Sequence, residues 1–549
     1  MRGFRRTLIF CLASLCMVLA LSVFVSLVSE FGAGGANSEN LRPTVMAEKR
    51  HYDWGNELAM RARRDGKLVF FTVGREHDFK ADWHLEKILG NSFYTTCLEP
   101  DRYPADFRVL QSVFERGTGN SGSIEGGILS ARLAPLYLTS NLAGDAARGV
   151  PSAAEAAKAA AGILRVAPEG LRAAEGNLAG LLAGEDGQKD YEYASDLLAD
   201  GLDWKFESAK LEKFFGGDVS DSPVAVVTEN ARLAAGIFSA FPELKSAEDA
   251  EDKAREGLIK MFAEPRALVE RLLIARALLE MPAKNGDGED KLIRFADELL
   301  SMTKPDGRMM EDGRDAVTAE NALAAQVLAL AYSRFKRRAH LEGAERICGY
   351  IEFLLKTSYQ LPSVSSVAVR SQSSARTYAF AGGAFADLHV ATGENKYIIL
   401  CRILFNELDG LFMSESGLWA INSHASALSG VARPIIYVDS RIPSYMGEAA
   451  QQLKYLSEAD SRLCAAYSKK LKKISEGARR RYRFNDFEMA SWKISQLPRV
   501  KKPVGGKTAA RINSSARARF DATGVYINLS RTGARINLAQ SMIQMRISQ

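Results

Sequence analysis

The chain has 549 residues, 47% of them apolar and 25% charged, a balance that excludes a disordered or fibrous polymer. At roughly 150 residues per domain the length allows about three domains. The net charge of +6, from 72 Lys and Arg against 66 Asp and Glu, is small for that length and calls for no specific nucleic-acid partner.

The amino terminus is the first distinctive element. Arg2, Arg5 and Arg6 precede an uncharged run over residues 7–29. Those 23 residues, at about 1.5 Å of helical rise each, match the roughly 30 Å apolar core of a bilayer and exceed the ~7–15-residue core of a cleaved signal. Residues 1–36 therefore read as a retained signal-anchor, although Gly34 and Ala36 are small enough to serve a peptidase. The basic flank holds the terminus in the cytoplasm and sends the body outside it, periplasmic or on the cell surface. A membrane is thus the first expected partner. Cys97, Cys348, Cys401 and Cys464 are scattered without a Cys-x-x-Cys, and His51, His77, His84, His340, His389 and His424 have no zinc-like spacing. Neither a disulfide framework nor a metal or other cofactor is expected.

Residues 45–148 alternate between the two periodicities. A helix over 54–64 ends at Asp65-Gly66, and a nearly continuous apolar strand over 68–73 closes on Gly74. A helix over 83–89, a strand over 93–98, a helix over 107–114 and a strand over 136–139 follow, which specifies an α/β layer. Here Trp54-x-x-Glu57-x-Ala59-x-x-Ala62, Gly66-Lys67, Asn91-Ser92-Phe93 and Asp101-Arg102-x-Pro104-x-Asp106 resemble the thioredoxin-like domain of the spermatogenesis-associated, YyaL-type family. The resemblance implies a thioredoxin-like head on a helical toroid. It puts Pro135 where such a fold has a cis-proline before a strand, and it puts Asp78 and Ala81 where the family has the two cysteines of Cys-His-Trp-Cys. Exchange needs one thiolate to attack and a second thiol to resolve the mixed disulfide, so the domain is expected to be redox-inactive. The charged loop over 75–80 reads as a solvated surface or, lying at the carboxyl end of that strand, as a ligand or partner contact.

From 150 to 495 helix formers dominate, with helices expected over 153–164, 229–241, 267–279, 291–302, 319–335, 341–356, 376–392, 396–408 and 444–459. Long helices with short breaks imply stacked hairpins closing into a ring. The family resemblance continues in Thr318-x-x-Asn321-x-Leu323, in Tyr378-Ala379-Phe380, in 391–397, in Phe412-x-x-x-x-Gly417 and in Asp439-x-x-x-Pro443-Ser444. It implies an all-α (α/α) toroid of six-hairpin glycosidase type, with any site in a funnel at one end. Saccharide chemistry there needs paired carboxylates with separated proton affinities. The acids near the matching segments are Glu311, Asp312, Asp315, Glu320 and Asp439, all of which also suit helix starts and turns. Asp312, Asp315, Asn321, Tyr378 and Trp419 are the candidate saccharide-binding residues, the two aromatics as stacking faces. The family's aspartate before Tyr378 is Thr377 here, and its Asp-Lys pair reads Arg314-Asp315.

The last segment, 496–549, reads as a basic linker followed by a small hairpin over 524–538. Residues 501–549 hold nine basic residues against the single acid Asp521. Two functions stay open: a membrane-tethered extracytoplasmic binding or scaffold protein with a glycan or protein partner, and a saccharide-processing enzyme, glycosidase- or epimerase-like, working in the toroid funnel.

Overall fold

The run Leu68–Val73 forms the central strand of a four-stranded sheet because its side chains are apolar on both faces. The computed structural model describes residues 52–74, 88–90, 92–118, 123–142, 152–166, 202–219, 222–283, 288–311, 314–315, 317–358, 360–364, 371–414, 416–428, 433, 435–436, 439, 442–459, 464–481 and 487–498. The apolar run over 7–29, Asp78 and Ala81, and the segment 524–538 expected to form a hairpin all lie outside the described residues. Among the described residues no helix is long and apolar enough to cross a membrane. The chain divides into two compact units, Met1–Leu497 and Pro498–Gln549, and the sheet and helices described below all belong to the first.

The sheet segment runs α1 (Asn56–Asp65), β1 (Leu68–Val73), β2 (Phe93–Leu98), α2 (Pro104–Thr118), β3 (Gly126–Leu129), β4 (Pro135–Thr139) and α3 (Ala153–Val166). The strand order is β2-β1-β3-β4, with β1 and β2 parallel in the register Leu68 to Phe93, and β3 antiparallel to both β1 and β4. Gly66, left-handed at φ 63°, ends α1 and returns the chain into β1. Strand β3 has no counterpart in the sequence expectations, because Gly126-Gly127 breaks any apolar alternation. Both glycines are required by close approach: a Cβ on Gly127 would meet Tyr137 O at 2.2 Å, and one on Gly126 would meet Phe71 O at 2.5 Å. No peptide bond among the described residues is cis, so Ala134–Pro135 is trans and the expected cis-proline is corrected.

The helical segment comprises α4 (Trp204–Gly216), α5 (Val224–Ala240), α6 (Lys245–Phe262), α7 (Leu268–Glu280), α8 (Gly288–Met302), α9 (Thr318–Phe335), α10 (Arg338–Thr357), α11 (Ala375–Thr392), α12 (Asn395–Phe412), α13 (Tyr445–Ala459), α14 (Cys464–Arg481) and α15 (Ala490–Gln496). Their packing alternates. Helices α5, α7, α9, α11, α13 and α15 each touch the next, and α15 returns to α5, so these six close a ring. The others lie outside it, α6 against α5 and α7, α8 against α9, α10 against α9 and α11, α12 against α11, and α14 against α13. The inner helices are buried nearly all round, as expected of the middle layer of such a ring, whereas α6 and α10 bury one stripe. A short strand pair, β5 (Met310–Glu311) with β6 (Arg314–Asp315), interrupts the loop before α9.

Ring closure depends on contacts far apart in sequence. The Lys493 ammonium of α15 reaches Glu207 of α4 at 2.7 Å, with both side chains buried, and the Asn230 amide of α5 donates to Phe487 O at 2.8 Å. Gly447 of α13 lets α15 approach, since a Cβ there would meet Ser491 Oγ at 2.6 Å. The sheet is fixed to the ring through Asp106, the last residue of the Asp101-to-Asp106 motif. Its carboxylate accepts from Trp54 Nε1 at 2.9 Å and from Ser426 Oγ, while Gln372 N donates to Arg102 O at 2.7 Å.

Candidate functional site

Of the residues singled out from the sequence, the three whose side chains are described, Asn321, Tyr378 and Trp419, do not form a saccharide-binding face. Asp312 lies outside the described residues, and Asp315 is described only as the backbone of β6. Asn321, in the first turn of α9, is wholly buried, with Oδ1 accepting from Met309 N at 2.9 Å and Nδ2 donating to Val317 O at 3.1 Å. It ties the turn before the helix to the helix itself. Tyr378 is 1% exposed; its hydroxyl donates to Glu407 Oε2 at 3.0 Å and accepts from Leu361 N at 3.0 Å, and its ring meets the edge of Phe412. Trp419, also 1% exposed, donates from Nε1 to Asp409 Oδ1 at 2.7 Å and packs between Phe405 and the Lys470 ammonium. Both aromatic faces are therefore occupied within the protein, in separate contacts, and the stacking role expected for them is corrected.

Thr377 stands where the resemblance placed an aspartate. It is buried against the hydroxyls of Ser374 and Ser363, within the capped start of α11. At the sheet, Cys97 donates from Sγ to Gly74 O at 2.9 Å, beside the end of β1, and Thr72 Oγ1 donates to it at 3.6 Å. Burial pushes the Cys401 thiol up to about 12 and raises that of Cys348 still further, leaving both as inert core groups.

A different group of residues meets at the centre of the ring. Helices α7 and α13 stand opposite each other in the six-helix circuit, and Arg276 of α7 spans the gap to Glu448 of α13. The two guanidinium nitrogens contact the two carboxylate oxygens at 2.8 and 3.0 Å, a bidentate pair. Arg232 of α5 lies alongside, with Nη1 at 2.6 Å from Glu229 Oε2 and 3.4 Å from Glu448 Oε1, Nε at 2.8 Å from Glu280 and Nη2 at 3.0 Å from Gln451. Asp439, from the segment before α13, accepts from Ser444 N at 2.7 Å, from Ser491 N at 3.0 Å and from Ser491 Oγ.

The charges around this centre are unequal. Two guanidiniums face Glu229, Glu280 and Glu448, with Asp439 within electrostatic reach of Glu229 and Glu448. Burial pushes the Glu229 carboxyl up to about 8 against the opposing pull of Arg232, and its Oε1 has no hydrogen-bond partner among the described residues. Burial likewise raises Asp439 to about 7, opposed by its bonds to Ser444 and Ser491. A proton on Glu229 leaves Glu280 and Glu448 to balance Arg232 and Arg276. Burial works against the Arg232 charge, but the surrounding Glu229, Glu280 and Glu448 hold it protonated. The centre thus sets Glu229, whose proton affinity burial raises, beside a Glu448 carboxylate bound in a salt bridge, both against one guanidinium nitrogen.

Asp439 is the single sequence candidate that arrives at this centre; Glu229, Arg232, Arg276, Glu280 and Glu448 were not anticipated. Their signal was present as arginines in otherwise apolar helical runs, Leu-Ile-Ala-Arg276-Ala-Leu-Leu and Asn-Ala-Arg232-Leu-Ala-Ala. Such a residue is tolerated in a core only when paired.

No protein-family model matches the chain, and no curated protein matches it, so the family resemblance rests on the quoted motifs alone. Solved structures do align with it. An unsaturated glucuronyl hydrolase specific for heparin is 11% identical at a TM-score of 0.40, covering 54% of this chain and 96% of that one. An inactive variant of an alpha-1,6-mannanase of Salegentibacter sp. HEL1_6, in complex with alpha-1,6-mannotetrose, is 11% identical at a TM-score of 0.38, covering 54% and 97%. A D-mannose isomerase is 10% identical at 0.37, covering 51% and 87%. At these scores the likeness decides neither substrate nor reaction for this chain.

Proposed function

We propose that the helix ring is the working part of a saccharide-processing protein, carried on a thioredoxin-like domain without exchange chemistry and tethered outside the cytoplasm by residues 1–36. The observation that carries the reading is the axial pair. Burial raises the proton affinity of Glu229, beside a Glu448 carboxylate that shares the same Arg232 nitrogen. In saccharide hydrolysis one carboxyl must donate a proton to the leaving oxygen while another works ionised. Glu229 is assigned the donor role and Glu448 the ionised role, with Arg276 and Arg232 orienting the latter. The strand order β2-β1-β3-β4 with a helix after each of β2 and β4 supports the thioredoxin-like assignment. The three arginines before the apolar run support the tether.

The second reading, a binding or scaffold protein, is favoured by one specific observation: Glu229 and Glu448 are fully buried and largely committed to protein partners. Turnover assays on the detergent-solubilised full chain with a panel of neutral and acidic oligosaccharides separate the two. Processing predicts turnover that Glu229→Gln abolishes while the far-ultraviolet spectrum and melting temperature are retained. Absence of turnover across the panel, or turnover indifferent to Glu229→Gln, overturns the axial assignment.

A further inference from the structure

Helix α14 is divided along its length by charge. Tyr467, Leu471, Ile474 and Ala478 recur at helical spacing and form the inward stripe, with Ile474 and Ala478 fully buried, and the helix packs on α13. Lys470 sits at the edge of that stripe, where its ammonium is held by Asp409 of α12 and lies 5.0 Å from the centre of the Trp419 ring. Lys469, Lys472 and Lys473 take positions i, i+3 and i+4 on the outward face, and all three are exposed. None of them makes a hydrogen bond or an ion pair with a described residue, and Glu476 is the one acid within the helix.

Other outer helices are composed differently. Helices α6, α8, α10 and α12 each contain at least as many acids as bases, whereas α14 contains seven bases and one acid. Several exposed cations of α6 and α10 meet carboxylates, Lys253 with Glu212, Arg338 with Glu342 and Lys356 with Glu352. Residues 469–483 hold eight basic residues and one acid, a net of +7 in a chain whose total is +6, so the other 534 residues together carry −1. Positive charge is thus concentrated on one outer segment, with no carboxylates set against its exposed lysines.

The chemistry of the face selects its partner. No large apolar or aromatic side chain is exposed among the described residues of α14, so a base or a sugar ring has nothing to stack on. The helix lies on the outer layer of the ring, where a single acidic group would have only one helix face to hold it. What remains is an array of ammoniums on neighbouring helical positions, which suits a plane of many negative headgroups, each lysine strengthening the attraction about fivefold. Chain length points to the same surface: residues 30–51, between the apolar run and the first described residue, span at most about 75 Å, which keeps a tethered body beside the bilayer. We propose that the outward face of α14 rests on the anionic phospholipid surface of the membrane that holds the chain, an electrostatic contact added to the amino-terminal tether. That the surface is the tethering membrane rests on the function proposed above; the affinity for anionic lipid rests on the face itself.

The test uses Cys464, the exposed first residue of α14, as a reporter, since Cys97, Cys348 and Cys401 are buried. The full chain, carrying Cys11→Ala and Cys16→Ala and a fluorophore on Cys464, is reconstituted into vesicles with a quencher on a minority of headgroups, made of phosphatidylcholine alone or mixed with phosphatidylglycerol. Quenching is expected in the phosphatidylglycerol vesicles and not in the neutral ones, and is expected to vanish at about 1 M salt, where the screening length shrinks to roughly 3 Å. Lys469→Gln, Lys472→Gln and Lys473→Gln together are expected to lower the docked-to-free ratio about a hundredfold with an unchanged melting temperature. If alkaline carbonate extracts the chain from the vesicles, the tether fails; the freed chain is then mixed with the same vesicles, and lysine-dependent quenching by phosphatidylglycerol still upholds the face. Equal quenching in neutral and anionic vesicles, quenching in neither, or quenching indifferent to the triple substitution overturns the proposal. A lysine-dependent shift of the label's emission by soluble polyglucuronate, with no quenching by phosphatidylglycerol, overturns the lipid partner in favour of an acidic polymer.

Discussion

Replacing Arg276 by Met removes the cation that spans the ring while keeping most of its apolar stem. Arg276 is 3% exposed and Glu448 0%, and the pair is joined by two contacts of 2.8 and 3.0 Å. Without Arg276, Glu448 retains from the axial cations only the 3.4 Å approach of Arg232, which is already engaged by Glu229 and Glu280. A buried carboxylate stripped of its main partner costs about 3–5 kcal/mol, whereas replacing both members of a buried pair is often nearly neutral. Arg276→Met is therefore expected to lose about 3–5 kcal/mol, and Arg276→Met with Glu448→Gln to recover most of that loss. Urea unfolding of the parent, both single variants and the double variant closes the cycle, with midpoints compared at a common slope. A single-variant loss below about 1 kcal/mol, or strict additivity in the double variant, would refute the reasoning, because either shows that the two charges do not depend on each other.

The same centre makes stability depend on pH. Glu229 and Asp439 are held up to about 8 and about 7 by burial, against unfolded carboxyls near 4. The folded chain therefore binds more protons than the unfolded one across roughly pH 4.5 to 8, and stability falls as pH rises through that window. Glu229→Gln should remove up to one proton's slope, about 1.4 kcal/mol per pH unit, as read from unfolding midpoints against pH; an unchanged slope counts against a protonated Glu229. Asp106→Ala should loosen the sheet from the ring by releasing Trp54 and Ser426, and limited proteolysis should then cut in the sheet segment first; a cleavage pattern like that of the parent would deny Asp106 its docking role. Because the resemblance puts Asp78 and Ala81 where its family has the exchange thiols, the chain should reduce insulin disulfides no faster than buffer with dithiothreitol, and activity that disappears in Cys97→Ser would place the chemistry at Cys97 instead.

Sequence by itself determined the elements whose cause is local. The apolar run of β1, the Gly66 stop after α1 and the long periodic helices from α9 to α12 follow from side-chain pattern and capping alone. Strand β3 was hidden because Gly126 and Gly127 are there to let neighbouring strands approach, a demand made by partners distant in sequence rather than by alternation. Tyr378 and Trp419 carried the right chemistry for sugar stacking, but exposure is not a local property, and packing against Phe412 and Phe405 turned both into core. The axial centre is tertiary in origin for the same reason: Glu229, Arg276, Asp439 and Glu448 come from four separated segments, and only closure of the ring, with α15 returning to α5, brings them into one low-dielectric space where their proton affinities diverge.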